Sequence, residues 1–183
     1  MPTISRDTPG LYLTSVAKDR LSVFRSDKIK VVTCAALDEA RKSGGFDLYA
    51  YVIMPDHVHL ITDSIRRPSA VLRFVNGIIS RRVIDFLKEQ GYQSSLDKLR
   101  QEGKARGYRY SLWDQHNNAL HLTSEGVFMQ KVHYIHQTPV RAGLVERAES
   151  YRWSSVRCWN RHPLEDEPLL VDVGRIVWRK AEA

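Results

Sequence analysis

The sequence predicts an α+β fold, a ferredoxin-like antiparallel sheet with helices packed on it, and three observations carry that prediction. Leu11–Ala17 is a run rich in aromatic and β-branched residues, as strands are. Lys28–Arg41 repeats apolar residues at helical spacing. Phe46–Met54 and His57–Asp63 are two apolar runs split only by Pro55-Asp56, which reads as a tight hairpin. A strand and a helix followed by an antiparallel hairpin, then further helices and strands, fit a sheet with helices laid over it.

Each element has its own warrant. Pro9-Gly10 opens the first strand, and Lys18-Asp19-Arg20 closes it before Leu21–Phe24. Ser26 or Asp27 can cap the first helix, whose apolar positions are Ile29, Val32, Ala36, Leu37 and Ala40, and Ser43-Gly44-Gly45 ends it. After the hairpin, Arg66-Arg67-Pro68 starts a second helix with a stripe of Leu72, Val75, Ile79, Val83, Phe86 and Leu87, ending near Gly91. Gln93–Gly107 is polar and basic, and reads as a mobile loop with at most a short helix. Tyr108–Trp113 looks like a strand, and Ala119–Thr123 like another after the turn at Asp114–Asn118. Ser124 caps a helix from Glu125 to about Thr138, where Pro139 is expected to stop it. The remainder, Val140–Ala183, reads as irregular or short-helical, with Trp153, Trp159 and Trp178 as packing anchors.

The 183 residues suit one domain with a tail, and 43% hydrophobic content is enough for a real core. A formal net charge of +7 favours an acidic partner, most simply nucleic acid. Cys34 and Cys158 form no CxxC pair, which argues against a zinc knuckle or disulfide framework and fits a reducing, cytoplasmic setting. The N-terminus lacks a signal-peptide pattern, and no stretch is apolar enough to span a membrane, so no membrane partner is expected.

Two places carry chemistry. His57 and His59 alternate with Val58 on a strand, so they share a face with Cα atoms ~6–7 Å apart. Two imidazoles so placed can bind a divalent cation, or can simply be a solvated edge or a satisfied core pair. On the helix before Pro139, Phe128, Val132 and Ile135 form the core stripe, and Tyr134 lies about 100° or more from its centre. Lys131 and Thr138 flank that tyrosine. Such a tyrosine either presents its hydroxyl to a cleft or snorkels at the boundary.

Together, Tyr51–Leu60 with its His-Val-His, and His133–Val145 with Tyr134-Ile135-His136 ahead of Pro139 and Val140-Arg141-Ala142-Gly143-Leu144-Val145, resemble the single-tyrosine HUH transposases. These include the REP-associated tyrosine transposases and the IS200-like insertion-sequence transposases that act on single-stranded DNA. The likeness continues through Glu146–Ser155 and runs from about Pro9 to Trp159, so 1–159 reads as an HUH-type domain and 160–183 as a C-terminal tail. The resemblance implies that His57 and His59 hold a divalent metal, Mg²⁺ or Mn²⁺, and that Tyr134 is the nucleophile that forms a 5′-phosphotyrosine. It implies a third ligand four residues after the tyrosine, commonly Asn or Gln. Here that position is Thr138, with Gln137 before it, which leaves open either residue as ligand and a domesticated hairpin-binding protein with weak or no cleavage. There is no HExxH to support a different metallohydrolase.

The resemblance further implies single-stranded or hairpin DNA as partner, and a possible homodimer in which one tyrosine helix completes the other chain's site. Arg66, Arg67, Arg81, Arg82, Lys104, Arg106 and Arg109 are candidates for phosphate contacts, along with Arg73, Lys98 and Arg100. Tyr108, Tyr110 and Trp113 can stack on unpaired bases or pack in the core.

Overall fold

A computed structural model describes residues 10–101, 110–115 and 118–176. Four strands, β1 (Gly10–Val16), β2 (Leu48–Ile53), β3 (His57–Thr62) and β4 (Asn118–Leu122), form one sheet in the order β2-β3-β1-β4 with every neighbouring pair antiparallel. The expected α+β sheet with helices packed on it is what the structure has. Register decides which residues share a face. Thr14 lies opposite His59, Val16 opposite His57 and Tyr12 opposite Ile61. Those six side chains therefore point one way, and Leu11, Leu13, Ser15, Val58 and Leu60 point the other.

Helices α1 (Asp27–Gly44) and α2 (Pro68–Glu89) cover the second face and pack on each other. Ser26 caps α1 by accepting from the Ile29 amide, and Gly45 closes it in the left-handed region at φ 61°. In α1 the core positions are Ile29, Thr33, Cys34, Ala36, Leu37 and Ala40, with Val32 only half-buried. The buried ridge of α2 is Val71, Val75, Ile79, Val83 and Leu87, with Ile84 beside it. Leu72 and Phe86, expected in that stripe, are only half-buried. A helix wedged between a sheet and a neighbouring helix buries a strict i, i+4 row, and those two residues flank it.

Two other expectations change, and the short helix allowed for after Gly91 forms. The polar stretch after Gly91 contains a true helix, α3 (Gln93–Leu99), anchored by buried Leu96 and Leu99. Within Tyr108–Trp113, the described residues 110–113 form no strand. Tyr110 and Trp113 make isolated backbone bridges to Arg100 and Ala17, and the Trp113 indole donates to the Asn76 carbonyl, so single bridges and one side-chain bond replace a ladder. The helix carrying Tyr134, α4 (Glu125–Arg141), runs through Pro139. Proline near a helix C-terminus forfeits one backbone bond, and its buried ring packs in the core instead. The stop comes from Gly143 at φ 69°, where Gly143 N–H reaches Val140 and Leu144 N–H reaches Pro139, a Schellman closure.

Beyond α4 the chain returns to the outer side of β2. Ile53 N–H donates to Trp153 O at 2.9 Å, Ser155 N–H to Tyr51 O at 3.0 Å, and Asp172 N–H to Leu48 O at 2.8 Å. The short helix α5 (Val156–Trp159) places the Trp159 indole on the Tyr49 carbonyl. Trp153, Leu169 and Ile176 join the same core as the sheet. Trp178 lies outside the described residues.

Candidate active site

The turn between β2 and β3 sets the first histidine. Met54 N–H donates to His57 O at 2.8 Å, closing a two-residue turn of Pro55 and Asp56. The loop after β1 holds that turn from outside: Ala17 N–H donates to Asp56 O and Phe24 N–H to Pro55 O. His57 Nδ1 lies 2.6 Å from Asp56 Oδ1, and Arg20 pairs with the other carboxylate oxygen at 3.1 Å. Burial works against the charged Asp56 carboxylate, but the hydrogen bonds from His57 and Arg20 outweigh it and hold its pKa below the ordinary value.

His59, one step along β3, is 6% exposed. Its Nδ1 lies 2.9 Å from the Tyr12 hydroxyl and 2.8 Å from the Thr14 hydroxyl, and the Tyr12 ring stacks on it at 5.4 Å. Burial first, then the charges of His57 and Lys131, lowers the His59 pKa to about 3, so the ring is neutral at any physiological pH. The two imidazole centroids are 4.7 Å apart.

Tyr134 reaches the pair from α4. Phe128, Val132, Ile135 and His136 seat the helix on the sheet, and His136 Nε2 is fixed 2.9 Å from Ser155 Oγ. This turns Tyr134 to the histidine face, its ring centroid 5.7 Å from His59 and 6.4 Å from Tyr12. Lys131 Nζ stands 4.8 Å from the Tyr12 ring centre and 5.3 Å from that of Tyr134, and the Arg141 guanidinium lies 5.2 Å from the Tyr134 ring.

The donor set fits a divalent cation. Each Nδ1 is engaged by an oxygen partner, and among the described residues neither Nε2 has a hydrogen-bond partner. That is how ligand histidines are held, one nitrogen oriented by a hydrogen bond so the other can coordinate. No third His, Cys, Asp or Glu joins the pair among the described residues. Thr138 donates its hydroxyl proton to the Tyr134 carbonyl at 2.8 Å, while Gln137 is half-buried.

The other candidate residues lie elsewhere. Arg66 and Arg67 are exposed beyond the far end of β3 from His57, with Arg66 over the Phe74 ring. Arg81 and Arg82 sit on α2, on the opposite side of the sheet, and both pair with Glu39. Lys104, Arg106, Tyr108 and Arg109 lie outside the described residues. Tyr12, Thr14, Asp56 and Arg141 were not singled out as site residues from sequence. The alternation of β1 was the available signal, since it puts Tyr12 and Thr14 on one face.

Residues 11–115 match the family model described as "Transposase IS200 like". The chain belongs to this transposase family. The matched span holds the sheet core and both histidines of this IS200-like transposase, and ends before Tyr134. Its fold is also that of a solved REP-associated tyrosine transposase bound to a REP hairpin, with TM-score 0.60 and 16% identity over 96% of this chain and 94% of that one. A structure described as a putative transposase from Deinococcus radiodurans R1 matches with TM-score 0.47 and 22% identity, over 70% of this chain and 88% of that one. No protein of curated function matches the sequence significantly. Among the described residues, no helix is long and apolar enough to cross a membrane.

Proposed function

We propose that this transposase cleaves and rejoins single-stranded DNA through a covalent link to Tyr134, and that it recognises hairpin DNA. One observation carries the reading: α4 brings the Tyr134 ring to 5.7 Å from His59, beside a histidine pair whose Nδ1 atoms are both held by oxygen partners. The solved REP-associated relative is bound to a REP hairpin, which supports hairpin DNA as the partner here. The strongly basic composition supports it as well.

The Tyr134 oxygen attacks the phosphorus of a phosphodiester placed in line with it. The bond from phosphorus to O3′ breaks as the bond to the tyrosine oxygen forms, giving a 5′-phosphotyrosine and a free 3′-hydroxyl, with the phenolic proton passing to solvent and a proton taken up by O3′. The energy of the diester stays in the new linkage, so a second 3′-hydroxyl can reverse the step and join new ends without ATP. His57 and His59 would hold Mg²⁺ or Mn²⁺, which supplies charge neutralisation and orientation of the phosphate when bound. Asp56, Tyr12 and Thr14 keep both rings turned for that task. Thr138 and Gln137 are the remaining ligand candidates on α4.

The test is a mixture of single strands with Mn²⁺, denatured and run for protein that carries DNA. An adduct that survives boiling, vanishes in Tyr134→Phe and fails with EDTA is expected. A second reading, a hairpin-binding relative that no longer cuts, draws on the Thr138 hydroxyl being committed to the helix backbone. Retention of hairpins with no adduct in any metal would favour it.

A further inference from the structure

Among the described residues, most arginines are held by carboxylates. Arg41 pairs with Asp38 and Asp172, Arg81 and Arg82 with Glu39, Arg152 with Asp166, and Arg157 with Glu167. Arg66 and Arg73 instead stand over the Phe74 ring, and Lys131 and Arg141 stand beside Tyr134. Among the described residues neither of the latter two enters an ion pair or a hydrogen bond, and their charged groups stand over aromatic rings. The helix explains the convergence. Lys131 lies three residues before Tyr134 and Arg141 seven after it, so all three fall on one strip of α4, and helical side chains lean toward the N-terminus, which brings Arg141 back over Tyr134. A cation over a ring gains about 0.5–1 kcal/mol at an exposed site, and it keeps its hydrogen-bond donors unspent.

We propose that Lys131 and Arg141 form a two-cation clamp that binds the phosphate handled by Tyr134, gripping its non-bridging oxygens from the α4 side while the histidine pair faces it from the sheet. This deepens the tyrosine reading above and rests on it. Lys131 is the inner member. It bridges the Tyr12 and Tyr134 rings and is close enough to His59 for its charge to help lower that histidine's pKa. Arg141 is the outer member, exposed at the rim, where a planar guanidinium suits two-point contact with phosphate. Unspent donors aimed at the place where negative charge must sit are what such a site needs, because they require no rearrangement when the phosphate arrives.

The test uses the full chain, labelled with [¹³Cζ]tyrosine, and inorganic phosphate as the probe. Tyr12 and Tyr134 signals, assigned with Tyr12→Phe and Tyr134→Phe, should shift saturably with phosphate, while Tyr49 and Tyr151 signals stay fixed and report an intact fold. Lys131→Gln and Arg141→Gln should each weaken that response, the double variant should abolish it, and Lys131→Arg should keep it. Each Gln variant should also lower the log–log salt slope of single-strand binding in EDTA by about 0.7. No shift in the unmodified protein, or an undiminished shift in the double variant, overturns the clamp and leaves only packing over the rings. Adduct formation separates the two ideas. A phosphate response without any adduct sinks the tyrosine chemistry but keeps the clamp. An adduct formed equally well by Lys131→Gln and Arg141→Gln, without a phosphate response, does the reverse.

Discussion

The two faces of the sheet are built from the same alternating strands and do different work. Toward α1 and α2, Leu11, Leu13, Val58 and Leu60 meet Val71, Val75, Ile79 and Val83 in a nearly unbroken apolar layer, with charges paired at its rim. Toward α4, the same strands present Tyr12 and Thr14, which bond to His59, and His57, which bonds to Asp56, with two unpaired cations above them. Burying an apolar layer stabilises the fold without further conditions, whereas a buried polar cluster stabilises it only when each group finds a partner. The first face can therefore tolerate the constraints that the second imposes.

Substitutions that separate chemistry from stability sharpen this contrast. Tyr134→Phe should reduce adduct formation by at least about 10³-fold while leaving the urea midpoint unchanged, since only a hydroxyl at the site is lost. A variant that unfolds more readily would mean the tyrosine belongs to the core. On the other face, Ile79→Ala should do the opposite. With no exposure at this side chain, the cavity should lower stability by about 3 kcal/mol, with adduct yield per folded molecule retained.

The polar face should also be the acid-sensitive one. His59 and His136 have folded pKa values lowered to about 3 and about 4, in both cases chiefly by burial, against about 6.5 when unfolded. Between those limits the unfolded chain binds more protons than the folded one, so stability rises with pH and is lost as pH falls below about 6.5. The slope approaches at most about 1.4 kcal/mol per pH unit for each ring. Urea midpoints at pH 7 and pH 5 check this, and His136→Asn should flatten the curve. A flat profile in the parent protein would contradict the burial of these rings. The smallest effect falls on the dry face. The Tyr51 hydroxyl is buried there with only the Cys34 thiol, a weak hydrogen-bonding group, beside it, so Tyr51→Phe should be neutral or stabilise by up to about 1 kcal/mol.

Much of this was legible in the sequence because periodicity is local. The hairpin around Pro55-Asp56, the Ser26 and Ser124 caps and the Phe128-Val132-Ile135 stripe each follow from a few adjacent residues. Those residues were enough to place His57, His59 and Tyr134 on suitable elements. What could not be read was which distant residues meet. The partnership of Tyr12 and Thr14 with His59 depends on the register of β1 against β3, and Arg81 and Arg82 became partners of Glu39 only through the packing of α1 on α2. The end of α4 differs from its expectation for another reason. Proline reads as a breaker, while the Gly143 closure four residues further on gives the helix a better stopping point.

The return of the chain along the outer side of β2 has a consequence for how molecules of this protein meet. An uncovered strand offers its amides and carbonyls as a template to any passing strand. Trp153, Ser155 and Asp172 already take up those groups on β2, so one border of the sheet is sealed by its own chain. The opposite border, β4, is short and largely exposed. If two copies join by extending their sheets, the seam must run along β4. Cutting the chain after α4 would strip the seal from β2 and leave a sticky edge, so a truncated form should aggregate where the whole chain stays dispersed.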